Sequence, residues 1–175
     1  GRYVSTMAAY IDFLVSEYHA TVLLIPHVLG TPENDDRTVA ADVLKIVANK
    51  TGAVSVVSDY TPEETKAIIG RCAMFIGARM HANIAAVSQC VPTIAISYSR
   101  KTHGIIGDML GYEKYVLDIA DLDYDGLVAA TRHLYEHREE VSRELELKMR
   151  EVRQRAGLNA HLLKELLEQK KKSRA

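Results

Sequence analysis

The sequence predicts an α/β fold: a Rossmann-like, doubly wound parallel sheet of about five strands, followed by a long C-terminal helix. Two observations carry the sheet. Short apolar runs alternate with amphipathic stretches of helical period through residue 137, the pattern of strand–helix crossovers. The runs are continuously apolar rather than alternating, as strands covered on both faces are. A third observation carries the helix: residues 138–169 are a long, charged stretch that reads as helical. Residues 1–137 are therefore expected to form the Rossmann-like domain, and 138–175 the long helix with a basic tail.

The elements follow in order. Residues 3–18 read as a helix, with Met7, Tyr10, Ile11 and Leu14 on one face. Thr21 to Pro26 is the first strand, and residues 34–49 a helix opened by Asn34-Asp35-Asp36. Ala53 to Val57 is the second strand. Thr61-Pro62-Glu63-Glu64 is a helix start with a Thr cap, Pro in the first turn and Glu completing a capping box. That helix runs to about Cys72. Ala73 to Ile76 is a short third strand, residues 80–90 a helix rich in small residues, and Thr93 to Ser97 a fourth strand. Residues 102–110 are helical and stop at Gly111. Tyr115 to Asp118 is the fifth strand, and residues 123–137 precede the final helix. The first helix has no strand to feed it and the chain opens Gly-Arg-Tyr, so a preceding strand is expected to be missing.

Composition narrows the function. The 175 residues are 47% hydrophobic and 26% charged with net charge −1, which suits a globular domain and excludes disorder. No apolar run reaches the ~18 residues of a spanning helix. Two cysteines, Cys72 and Cys90, make neither a disulfide framework nor a metal cluster, so a reducing, cytoplasmic setting is the default. Charge is unevenly spread: residues 1–131 hold 10 Lys+Arg against 15 Asp+Glu, and residues 132–175 hold 12 against 8. The basic end, Lys170-Lys171-Lys172-Ser173-Arg174, suits either a solvated helix terminus or peripheral contact with an anionic membrane surface. No nucleic-acid-binding motif is present, and the Walker, G-x-S-x-G, Cys-x-x-Cys and His-Glu-x-x-His patterns are missing.

Open parallel sheets bind ligands beyond the carboxyl ends of their strands. His27 follows the first strand. Gly77-Ala78-Arg79-Met80-His81 follows the third, and Tyr98-Ser99-Arg100-Lys101-Thr102-His103 the fourth. Cations thus concentrate at two neighbouring crossovers of an otherwise acidic segment, where helix N-termini add backbone donors. The pattern points to an anion site for phosphate or carboxylate. Taken singly, each residue also has a structural reading: Arg79 pairing with Asp59 or Glu63, His27 bonding a neighbouring loop, His103 capping its helix.

The run from Phe75 through Ala86, with Gly77-Ala78-Arg79-Met80-His81 at its centre, then Val91-Pro92 and Tyr98-Ser99-Arg100-Lys101, resembles the polysaccharide pyruvyl transferase family. That family's pattern is Gly-x-Arg-x-His, a small-residue helix, Val-Pro, a strand and Tyr-x-x-Lys. The resemblance covers residues 20–120. Met80 stands where Leu is usual, and Ser99-Arg100 replaces the commoner Asp-Pro, leaving the role of Arg100 open. The resemblance implies the carboxy-terminal lobe of a two-lobed, glycosyltransferase-B-like transferase of cell-surface polysaccharide biosynthesis, whose other lobe faces the site. The implied reaction moves pyruvate from phosphoenolpyruvate onto two hydroxyls of a sugar, free or lipid-linked, as a ketal. It needs no metal or cofactor. His81 and Arg79 are then the implied catalytic residues. Lys101, Tyr98, Arg100, His27 and Gly77 are the implied substrate-binding ones. A nucleotide-sugar glycosyltransferase lobe and a non-catalytic interaction lobe are the alternatives.

Overall fold

The structure is a computed structural model describing residues 1–31 and 34–172. Helix α1 (Arg2–Tyr18) leads into β1 (Val22–Leu24), α2 (Asp36–Ile46) and β2 (Ala53–Ser55). Then come α3 (Pro62–Ile69), β3 (Phe75–Gly77), α4 (Met80–Val87) and β4 (Thr93–Ser97). A single turn, α5 (Arg100–Thr102), widens into a π-helical segment (His103–Met109) before β5 (Val116–Asp118), α6 (Tyr124–Glu136) and α7 (Arg138–Lys172). The fold is α/β and Rossmann-like, with five parallel strands among the described residues. The strands form two hydrogen-bonded sets, β1–β2 and β3–β4–β5, all paired in parallel.

Local chemistry explains most boundaries. Asp35 caps α2 by accepting the Arg37 amide at 2.9 Å, so the helix starts two residues later than the Asn-Asp-Asp run alone indicates. At Thr61 the capping box forms in both directions: its hydroxyl accepts the Glu64 amide, and Glu64 accepts the Thr61 amide. β1 ends before Pro26, which has no amide to give a ladder. α4 stops at Val87 because Cys90 takes a positive φ of 62°, turning the chain into Val91-Pro92. Gly111 (φ 74°) ends the π-helical segment as a left-handed residue, which glycine adopts without a Cβ clash.

The sheet is covered on both faces. Ile76 packs with the cluster that includes Tyr10 and Phe13 of α1 and Leu127 of α6, while its neighbour Phe75 joins Ile69 of α3 and Ala86 of α4. Successive strand residues point to opposite faces, so these contacts place the two helix layers on opposite sides. α1 also packs Ala8 and Ile11 against Val43 and Val47 of α2 over β1 and β2. α7 docks by Val141, Leu145 and Met149 at four-residue spacing; beyond them, Leu158, Leu162, Leu163, Leu166 and Leu167 are exposed. Of the basic cluster, Ser173 and Arg174 lie outside the described residues.

One buried polar contact ties the two helices of the first layer. The Tyr10 hydroxyl hydrogen-bonds Thr131 of α6, and both side chains are about 1% exposed. Burial pushes the Tyr10 phenol up to about 12, so it stays protonated. Removing the hydroxyl leaves Thr131 without this partner in a dry environment. Tyr10→Phe is therefore expected to lower stability by about 1–3 kcal/mol in denaturant titrations.

Candidate active site

Between β1 and β3 lies a cavity of about 790 Å³, and its carboxyl-end mouth is lined by His27, Asp36, Gly77, Arg79 and Tyr98. These residues arrive from three crossovers. His27 leaves β1, Gly77 ends β3 and Arg79 caps α4, while Tyr98 follows β4. Four of the residues named from sequence thus share one mouth: His27, Gly77, Arg79 and Tyr98. The other three, His81 in the first turn of α4 and Arg100 and Lys101 in α5, sit exposed on the same two crossovers and do not line the cavity.

Asp36 organises the mouth. Its Oδ2 accepts the backbone amides of His27 at 3.0 Å and Val28 at 2.9 Å. Its Oδ1 accepts Arg79 Nη2 at 2.8 Å and Nε at 3.3 Å. Burial pushes the Asp36 carboxyl up, but Arg79 and the two loop amides outweigh it and hold it below its usual value. Asp36 in turn raises the Arg79 pKa, so the guanidinium is permanently charged. Asn34 accepts a longer bond from Nη2 at 3.3 Å, and the Tyr98 hydroxyl lies against the guanidinium. Arg79 therefore pairs with Asp36 rather than with Asp59 or Glu63.

Three further positions are fixed by sterics and hydrogen bonds. The His27 Nδ1 lies 3.2 Å from the Ile25 carbonyl, which only accepts, so Nδ1 carries the proton in this contact. A Cβ at Gly77 would stand 2.5 Å from the Phe75 ring and 2.7 Å from Asn83 Oδ1, so only glycine fits without displacing a packed side chain. Asn83 is fully buried under that backbone, and its amide finds no partner among the described residues. Tyr3 of α1 also reaches the cavity; burial, then the Asp36 charge, raise its phenol and keep it neutral.

His103 does not cap its helix. Its Nδ1 meets Glu113 at 2.6 Å and its Nε2 meets Asp118 at 3.0 Å. Carboxylates only accept, so both ring nitrogens donate and the imidazolium is favoured. Asp118 first, then Glu113, raise its pKa. Among the described residues no group of three His, Cys, Asp or Glu side chains is placed to hold a metal ion. No described helix is long and apolar enough to cross a membrane.

A family model for polysaccharide pyruvyl transferase matches residues 2–100, more than half of the chain and every residue of the mouth. The chain belongs to the polysaccharide pyruvyl transferase family. The amylovoran biosynthesis protein AmsJ of Erwinia amylovora is 25% identical over 111 residues, 63% of this chain and 26% of that protein. The match thus spans about a quarter of that relative's length. No solved structure matches the chain. Family members are named for a transferase activity in polysaccharide biosynthesis, and the mouth carries the glycine and arginine of the Gly-x-Arg-x-His run, whose histidine, His81, is exposed outside the cavity.

Asp36 was not singled out from sequence, because Asn34-Asp35-Asp36 reads as a helix start and Asp35 alone fills that role. The signal available was redundancy: one cap needs one carboxylate, and a second carboxylate beside it is spare.

The pH dependence of the His103 bridge follows from its raised pKa. Its contribution to stability is complete below the ordinary histidine value of 6.5 and is lost as pH climbs through the raised folded value. The stability difference between the parent and His103→Asn is expected to be larger near about pH 6 than near about pH 9 in urea titrations. A difference that grew with pH would contradict the bridge.

Proposed function

We propose that this chain is one lobe of a pyruvyl transferase that moves pyruvate from phosphoenolpyruvate onto two hydroxyls of a sugar, forming a ketal and releasing phosphate. The observation that carries the reading is Arg79, a charged guanidinium fixed at the carboxyl-end mouth of a parallel sheet by a carboxylate anchored to backbone amides. A fork of this kind matches the planar oxygens of carboxylate and phosphate, and its fixed position avoids the entropy of ordering a free arginine.

Charge sets the division of labour. Arg79 and Asp36 together are nearly neutral, so this pair orients an anion but supplies little net attraction for a multiply charged donor. Attraction then falls to Lys101, Arg100 and His81, the exposed groups of the same two crossovers. The chemistry asks for a proton at the donor's methylene carbon, which makes the central carbon electrophilic. One sugar hydroxyl adds there and loses its proton, phosphate departs with the C–O bond electrons, and a second hydroxyl adds to the same carbon and loses its proton as the ring closes. In this reading His81 delivers a proton or holds the leaving phosphate. Arg79 and Lys101 hold donor oxygens and stabilise the departing charge, and Tyr98 orients the donor against Arg79. His27, with Nδ1 on Ile25, leaves Nε2 for substrate. The donor needs a second wall to exclude water. We place that wall, and the acceptor's sugar contacts, on a partner lobe outside these residues, toward which the exposed leucines of α7 would project.

The test is made in the whole transferase that contains this chain. Arg79→Ala is expected to weaken phosphoenolpyruvate binding by about 10–100-fold in isothermal titration, the loss of one or two charge-assisted hydrogen bonds. Arg79→Lys should restore charge but not the fork, recovering only part. Unchanged donor binding in both variants, or tighter stabilisation by a nucleoside diphosphate than by phosphoenolpyruvate, would overturn the reading.

A further inference from the structure

The cavity beneath the mouth has the wrong shape for a three-carbon donor alone. It runs the whole height of the sheet, from Thr21 and Cys72 below the strands to His27 and Arg79 above them. Seven consecutive residues, Thr21 to His27, with β1 among them, flank it, which corresponds to about 20 Å if the chain is extended. Below the mouth its walls are apolar, formed by Leu23, Ile25, Met74 and Ile76 with Met7 and Leu14 of α1.

The two flanking strands each turn an unused edge into this slot. Leu24 accepts the Val56 amide, so the backbone of Leu24 faces β2 and that of Leu23 and Ile25 faces away from it. Phe75 donates to the Pro92 carbonyl, so the backbone of Phe75 faces β4 and that of Met74 and Ile76 faces away. Buried backbone donors and acceptors are almost always paired, and two parallel edges facing each other across an apolar gap lack a strand between them. Helix α1 fixes the direction. Tyr3, in its first turn, lines the cavity close enough to Asp36 to feel its charge, so α1 begins at the carboxyl end of the slot. A strand rising parallel to β1 and β3 would end there and pass directly into α1.

We propose that the slot is filled by a sixth parallel strand, an apolar extended segment of about five residues, supplied in cis by polypeptide leading into Gly1. It joins β1–β2 and β3–β4–β5 into one continuous sheet in the order β2–β1–new strand–β3–β4–β5. The small-molecule site is then confined to the mouth formed by Asp36, Arg79 and Tyr98. This inference does not depend on the identity of the donor.

Amide hydrogen exchange tests it on three chains: residues 1–175, the same chain with the native residues encoded before Gly1, and that longer chain with proline at the centre of the added segment. The amides of Leu23, Ile25, Met74 and Ile76 are expected to exchange at least about tenfold more slowly in the longer chain and to return to the faster rate with proline. If the proline variant does not fold, a Gly/Ser extension of equal length replaces it, with the same expected result. Three results would each overturn the proposal. One is equal exchange with and without the native segment. Another is protection of these amides in the 175-residue chain that rises with protein concentration alongside a doubled mass, which assigns the slot to a second copy. The last is a reading frame that encodes nothing but an initiator before Gly1.

Discussion

A single carboxylate fastens together two loops that belong to different halves of the sheet. Asp36 stands after β1, in the two-stranded set, and accepts both loop amides and the guanidinium of Arg79, which stands after β3 in the three-stranded set. The ion pair therefore spans the mouth of the gap. It is part-exposed at 37% for the arginine and 23% for the aspartate side chain, so solvent screens it and its worth lies more in position than in stability. What it positions is a flat cation with Tyr98 beside it, at the sheet edge where parallel folds place their ligands. Removing Asp36 would free a flexible arginine, and removing Arg79 would leave a half-buried carboxylate beside two amides.

Much of this arrangement was legible in the residues, because strand-end chemistry follows from topology. Once Phe75-Ile76 and Ile94-Ala95-Ile96 read as parallel strands, Gly77, Arg79 and Tyr98 had to emerge on one edge, and the structure brings them to one mouth. The Thr61 capping box was equally readable, since it depends on four consecutive residues. Long-range partners were not. Nothing local says that Asp36 rather than Asp59 meets Arg79, or that His103 bridges Glu113 and Asp118, because those pairs are set by how crossovers pack. The widening of α5 into a π-helical segment also escaped, since glycines at positions 104 and 107 read as ordinary helix. At Gly107 an added Cβ would meet the Glu113 carboxylate that His103 holds, a partner set by tertiary packing and not by local propensity.

The division of the sheet has the same origin. Each run, Thr21 to Pro26 and Ala73 to Ile76, is apolar along its length, as a strand covered on both faces is. Laterally β1 pairs with β2 and β3 with β4, and their other edges face the slot. The apolar character that made both segments readable as interior strands is thus also the feature that makes the slot apolar. Charge follows a complementary logic. Among the described residues the buried core holds no charged side chain, and Arg79, Arg100 and Lys101 stand at the carboxyl edge, so the rim is the part suited to a small anion.

The central claim is that the rim cation fixed by Asp36 holds the donor. It is tested most directly by a crystal structure of the whole transferase with phosphoenolpyruvate bound. A carboxylate or phosphate oxygen of the donor within about 3 Å of the Arg79 guanidinium, with Asp36 still on the His27 and Val28 amides, is the expected result. A donor seated elsewhere, with Arg79 engaged only by Asp36 and Asn34, would contradict it.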